Sequence, residues 1–151
     1  MNPLESKIMD ILKEKAIPHE VVEHDAVYTN PVMAEKLGVS VGETVKSLML
    51  ETAEGRIIQV VLPGDKRFDA KRVAEVAGTR KVGFAKPEKV LEIAGCEVGC
   101  VPPFGHLQPV RVYMDRQLLW KQHVWFNPGV HTKSVKIEAK YLKELCGALM
   151  L

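Results

Sequence analysis

Three short stretches of this 151-residue chain hold residue types able to do chemistry. In VKSLML, Lys46 interrupts an apolar run, with Ser47 beside it. In GCVPPFGH, Gly99 and Gly105 bracket two prolines. In NPGVHTKS, Gly129 stands two residues before His131, and Ser134 enters the next apolar run. An ammonium among apolar residues either lays its stem on them with its head in water, or meets an anion or a carbonyl oxygen in a cleft. Glycine lets a ligand approach the backbone and proline stiffens it. GCVPPFGH therefore suits a pocket wall presenting amides and carbonyls, or else is an ordinary connection. A histidine at a strand edge donates and accepts hydrogen bonds near neutral pH.

Other chemistries remain open at this level. Cys96 and Cys100 are spaced C-x3-C with His106 close behind. A zinc-dependent hydrolase would use these three, although a structural zinc site normally has a second matching pair. The same cysteines are equally read as small core residues or as half of a Cys–His nucleophilic pair. GDKRFDAKR gathers Lys66, Arg67, Lys71 and Arg72, either a solvated helix face or a phosphate-contacting patch. No glycine-rich phosphate loop ending in Lys-Ser/Thr is present, which argues against nucleotide hydrolysis.

The elements that must position these residues follow from periodicity. PLESKIMDILKEKAI carries apolar residues at helical spacing and stops at Pro18; HEVVEH is a short strand. A second helix is capped by Thr29 or Asn30, with Pro31 in its first turn and Gly38 at its end. VKSLMLET and IIQVVL, joined by AEGR, predict a hairpin. On its strand Lys46 shares a face with Leu48 and Leu50, while Val45, Ser47 and Met49 share the other. A helix between Asp69 and Gly78, a strand KVGF, a helix ending at Gly95, strands VRVYMD, HVWFN and KSVKIE, and a terminal helix AKYLKELCGAL complete the chain. The alternation predicts one mixed α/β domain over residues 1–151, with a mostly antiparallel, curved or barrel-like sheet flanked by helices.

Composition bounds the function. The chain is 46% hydrophobic, with 21 basic against 19 acidic residues and a formal charge of +2. That balance argues against a non-specific nucleic-acid coat but leaves room for a local basic patch. No run is long and apolar enough to span a bilayer. Three cysteines, an odd number, do not form a disulfide framework. A reducing, cytoplasmic setting is expected.

TVKSLMLE, GCVPPFGH and NPGVHTKSVKI, in that order, resemble segments of the YbaK and prolyl-tRNA-synthetase-associated domain family. VLPGDKRFDAKRVAEVAG and LGVSVGETVKSL are similar to that family as well, so the resemblance runs from about His24 to Ile137. It implies a compact α/β domain that hydrolyses the ester of a mischarged aminoacyl-tRNA, with no cofactor and no metal. Lys46 stands at the family's functional lysine, Gly99 and Pro103 fit its G-x-x-x-P loop, and Gly129 and His131 match its later glycine–histidine loop. Thr29 falls where a pocket threonine is common. The resemblance thus implies Lys46, His131 and Gly129 as catalytic, and Thr29, Ser47, Gly99, Val101, Pro103, Phe104, Gly105 and Ser134 as substrate-binding. Lys66 and Arg67 would touch tRNA phosphates. The sequence departs from the family at Cys100, where a second glycine is usual, and at Pro128. The loop histidine points to an alanine- or serine/threonine-type enzyme rather than a cysteine-type one. The implied partners are mischarged tRNA and, beyond it, an aminoacyl-tRNA synthetase. A non-catalytic module binding an aminoacyl or nucleotide end, or docking on a synthetase, is the alternative.

Overall fold

The computed structural model describes residues 1–151. Helix α1 (Pro3–Glu14) begins at Asn2, whose side chain accepts from Glu5 N at 2.8 Å. Pro3 sits in the first turn, where its missing N–H leaves nothing unpaired. The stripe Leu4, Ile8 and Leu12 is fully buried, each side chain contributing roughly 1.5–3 kcal/mol of hydrophobic stabilisation. Strand β1 (His19–Glu23) follows, then α2 (Asn30–Leu37), which Gly38 closes at φ +69°. Thr29 is the cap of α2, accepting from Val32 N. Asn30 instead turns its amide to Thr44 Oγ1 at 3.0 Å and Val45 O at 3.1 Å.

The predicted hairpin is formed by β2 (Val45–Thr52) and β3 (Ile57–Pro63), with Lys46 opposite Leu62. After it come α3 (Ala70–Ala77), β4 (Val82–Phe84), α4 (Pro87–Ala94) and the irregular 95–110 segment. Strand β5 (Arg111–Met114) leads through a 3₁₀ turn (Arg116–Trp120) into β6 (His123–Phe126) and β7 (Lys133–Glu138). The chain finishes with α5 (Leu142–Cys146) and β8 (Leu149–Met150). The terminal helix is therefore shorter than its sequence pattern. Gly147, at φ +57°, ends it, and Leu149–Met150 adds to the sheet beside β5 instead.

This is the mixed α/β class expected, with most strand pairs antiparallel. The strands fall into two sheets, one ordered β1-β7-β6 and the other β4-β2-β3-β5-β8. Only the β3–β5 and β5–β8 pairs are parallel. A single bridge between Thr44 and Trp125 links the sheets, and neither closes into a barrel.

The five-stranded sheet is covered on both faces, which explains why both sides of VKSLML look apolar. Met49, Val61, Val112 and Met114 join the main core with α1 and with Phe126, Val135 and Ile137 of the smaller sheet. Leu50, Ile58, Val60, Leu62 and Tyr113 pack on the other face against Val73 of α3. Lys46 lies on the α3 face, at the end of β2 where that cover runs out.

Candidate functional site

Strand β4 pairs with β2 only at Leu50–Thr52. Upstream, the edge of β2 is open, and the protein has filled two of its positions. Asn30 donates to Val45 O and Ala85 N donates to Met49 O. Backbone groups of alternate residues point to the same edge of a strand, so the N–H and C=O of Ser47 face the gap between them. The gap is the wall of a cavity of about 930 Å³, at the upper end of the ~300–1,000 Å³ range of small-molecule sites. Ser47 lines that wall, and its Oγ is buried without a hydrogen-bond partner.

Lys46 enters the same cavity. Its Nζ donates to Lys66 O at 2.8 Å, which fixes the ammonium under the 63–69 segment and leaves two of its three donors free. Arg67 is the other cation on the lining, and no aspartate or glutamate lines it. Neither Lys46 nor Arg67 takes part in an ion pair. The remaining wall is largely apolar. Phe84, 68% exposed, stands edge-to-face with Phe68 at 5.5 Å between centroids, so two rings flank the mouth. Thr29, Gly99 and Val101 complete the set of expected residues that meet there, together with Tyr28, Asn30 and Asn127. Such a site attracts a ligand with an anionic or strongly polar head and a flat apolar body.

The Gly99 loop is held from beneath. Pro102 O accepts from Gln59 Nε2 at 3.0 Å and from His106 Nε2 at 3.1 Å. Gly99 itself has φ +99°, a region that glycine occupies without strain. Beside it, His131 Nδ1 lies 3.0 Å from Val27 O and Nε2 3.1 Å from Glu97 Oε2, with the ring 4.4 Å from that of Tyr28. A Cβ added to Gly99 would come within 3.4 Å of His131 Cε1. His131 therefore braces the Gly99 loop against the 27–28 segment, and is not itself on the cavity lining.

Several expected residues lie elsewhere. Phe104 is buried in the main core, edge-to-face with Phe126 at 5.3 Å. Pro103 is buried and off the lining, and Gly105 packs on Ile8 of α1. Gly129 is buried against Leu4 of α1, with φ +90°. Ser134 is fully buried, and its hydroxyl pairs with His24 Nε2 at 2.7 Å. Lys66 turns away from the cavity to pair with Asp115 at 2.6 Å. These residues share their motifs with wall residues, but lie off the lining themselves, where they tie the wall to the core. Asn30, Phe68, Phe84 and Asn127 escaped notice because they come from four separate elements. Only the redundant cap pair Thr29-Asn30 carried a signal, one of the two being free for other work.

The zinc and cysteine-nucleophile alternatives find no geometry. No group of three or more His, Cys, Asp or Glu side chains is arranged to hold a metal ion. Cys100 Sγ donates to Glu97 O at 3.5 Å, and both Cys96 and Cys100 are buried off the cavity. A hydrogen bond with Cys100, together with burial, pushes the Cys96 thiol far up, and the same bond lowers Cys100.

Comparison with known proteins decides the family. Residues 24–145 match the aminoacyl-tRNA editing domain. The chain belongs to that family. Membership makes this editing domain a hydrolase of aminoacyl-tRNA ester bonds. It is 27% identical over 142 residues to the multifunctional Ser/Thr-tRNA deacylase ProXp-y of Escherichia coli strain K12, covering 91% of this chain and 85% of that one. It is 31% identical over 143 residues to the prolyl-tRNA editing protein ProX of Acetoanaerobium sticklandii, covering 91% and 87%. A crystal structure of a candidate trans-editing enzyme for prolyl tRNA synthetase superposes with a TM-score of 0.87 at 29% identity, covering 100% of this chain and 96% of that one. No helix of this editing domain is long and apolar enough to cross a membrane.

The editing domain's His106 gives a pH prediction. Burial holds its pKa down to about 4, against 6.5 for a free imidazole. The folded state thus keeps a neutral ring donating to Pro102 O, while the unfolded chain takes up a proton below about pH 6.5. This stability is fully present above pH 6.5 and is lost as pH falls towards 4. At ~1.4 kcal/mol per pH unit the loss reaches about 3 kcal/mol. Melting curves from pH 7 to 4 should show that decline, and His106→Gln should flatten it; an equal decline in the variant would assign the acid sensitivity to other groups.

Proposed function

We propose that this editing domain clears serine- or threonine-type mischarged tRNA in the cytoplasm, beside the synthetase that makes the error, with alanine as the weaker substrate. A synthetase rejects a slightly different small side chain by only about 1–3 kcal/mol, so a second hydrolytic site adds discrimination. One observation carries the reading. Ser47, whose hydroxyl is buried without a hydrogen-bond partner, lines a cavity with two cations outside any ion pair and no carboxylate.

The residues divide the work accordingly. Lys46 meets the phosphate or sugar of the terminal nucleotide and adds positive potential beside the ester. The Phe68–Phe84 pair receives the flat base. The open edge of β2 at Ser47 and the pinned Gly99 loop orient the ester carbonyl and the amino acid between them. The ester is already activated, so a positioned water and a stabilised oxyanion suffice, with no protein nucleophile. The neighbouring ribose hydroxyl of the substrate lies where it can share the proton transfer. His131 is a positioning residue that keeps the Gly99 loop in register. Ser47 Oγ pairs with the hydroxyl of a seryl or threonyl group, a bond an alanyl group lacks.

The test is a deacylation panel across seryl-, threonyl-, alanyl- and cysteinyl-tRNA. Wild type should turn over the first two about tenfold faster than alanyl-tRNA, the size of one neutral hydrogen bond. Ser47→Ala should bring serine and alanine to near parity. A preference for alanyl- or cysteinyl-tRNA would overturn the assignment of the amino acid. Inertness toward all four would overturn the reading itself.

A further inference from the structure

The 66–69 segment serves two sites. Arg67 and Phe68 line the cavity, and they also line a second depression of about 400 Å³. Its floor is Val60 and Leu62 of β3, on the same sheet face as Lys46. Across it stands the 3₁₀ turn Arg116–Trp120. Trp120 is 75% exposed there, whereas Trp125 is 7% exposed in the core.

The charges around this depression are unequally committed. Its two carboxylates are occupied: Asp115 by Lys66 and Gln117 N, Asp69 by Arg72 N at the cap of α3. Its arginines are held more loosely. Arg67 has no ion pair, Arg72 reaches only Glu75 at 3.9 Å, and Arg116 Nε donates to Leu151 O. Three guanidinium groups, none held by a close carboxylate, stand around an exposed indole beside the cavity proposed to take a nucleotide end, and match one kind of occupant. Single-stranded nucleic acid is held by cations on its phosphates and aromatic rings on its bases.

We propose that this depression binds the unpaired nucleotides immediately before the aminoacylated terminal nucleoside. Trp120 stacks on one base, and Arg67, Arg72 and Arg116 contact the intervening phosphates. This rests on the proposed function, which places the terminal nucleoside next door. It adds a reason for the enzyme to act on tRNA rather than on any aminoacyl ester.

Two measurements test it separately. The first needs no turnover: an uncharged RNA hairpin ending in CCA is titrated into the protein while the exposed tryptophan is followed by fluorescence. Wild type should be quenched and Trp120→Ala should not. The salt dependence should correspond to about three phosphate contacts, a slope near −2, and should drop by about 0.7 in Arg116→Glu. The second compares kcat/KM on seryl-tRNA and on seryl-adenosine. Trp120→Ala should lose roughly 5- to 100-fold on the tRNA, the range of one base–aromatic stack, and nothing on the nucleoside ester. Trp120→Phe should restore most of the loss. Quenching without hydrolysis of either substrate would uphold the RNA surface and sink the deacylase reading. Hydrolysis of both with no quenching, or with Trp120→Ala equal to wild type on tRNA, would overturn the surface. So would quenching by a synthetase and not by RNA.

Discussion

Replacing Lys46 with alanine should lower deacylation of mischarged tRNA by about 10²- to 10³-fold and leave the fold standing. The size follows from what one preorganised electrostatic contact contributes where water is largely excluded. The fold survives because the ammonium has one protein partner, Lys66 O, and the residue is only half-buried at the end of its strand. Lys46→Met separates charge from packing, since it keeps an apolar stem against Leu62 and loses the cation. Both variants should melt within a few degrees of wild type and should be equally inactive. Activity retained by Lys46→Met would reduce the lysine to a packing residue. Activity retained by both would remove it from the mechanism.

Replacing Gly129 with alanine has the opposite signature. The residue lies at φ +90°, and a Cβ there would come 2.7 Å from Leu4 Cδ2. A non-glycine residue in that region costs roughly 1–3 kcal/mol, and overpacking a tight core costs roughly another 1–3. Together these make about 2–6 kcal/mol, a large share of the ~5–15 kcal/mol that holds a domain folded. Gly129→Ala should therefore melt much earlier, while the protein that remains folded keeps a near-normal kcat. Adding Leu4→Ala relieves the collision but not the backbone strain, so the double variant should be more stable than the sum of the single losses. A Gly129→Ala protein of wild-type stability but without activity would return this glycine to the catalytic set.

These two residues show how far the sequence could be read. Lys46 was legible because a charge in an apolar strand is a local anomaly. The structure answers it locally: the residue sits where the α3 layer ends and a cavity begins. Gly129 was legible as a glycine that matters, but not why. Its neighbour Leu4 is 125 residues away in sequence, and nothing local says that α1 passes over that loop. The packing of Phe104 and Gly105 was hidden for the same reason, since they are the parts of a motif that tie a wall to the core. The helices and strands followed from periodicity and caps, except at the C-terminus, where Gly147 turns a helical pattern into the edge strand β8. The open edge at Ser47 was invisible in advance, because it depends on β4 being three residues long and stopping short.

The proposed reaction draws on the ester itself and on the cavity wall. In that proposal a pinned backbone, a free strand edge and an ammonium outside any ion pair supply orientation and charge, and the ester supplies the reactivity. The cavity's lack of carboxylates keeps that ammonium available to the substrate.

A crystal structure with a non-hydrolysable 3′-amide analogue of seryl-adenosine monophosphate tests the central claim most directly. The predicted result puts Lys46 Nζ within hydrogen-bond distance of the phosphate or sugar, the amide carbonyl between Ser47 and Gly99, and the seryl hydroxyl on Ser47 Oγ. An analogue bound elsewhere, with the ammonium still turned only to Lys66 O, would contradict the account.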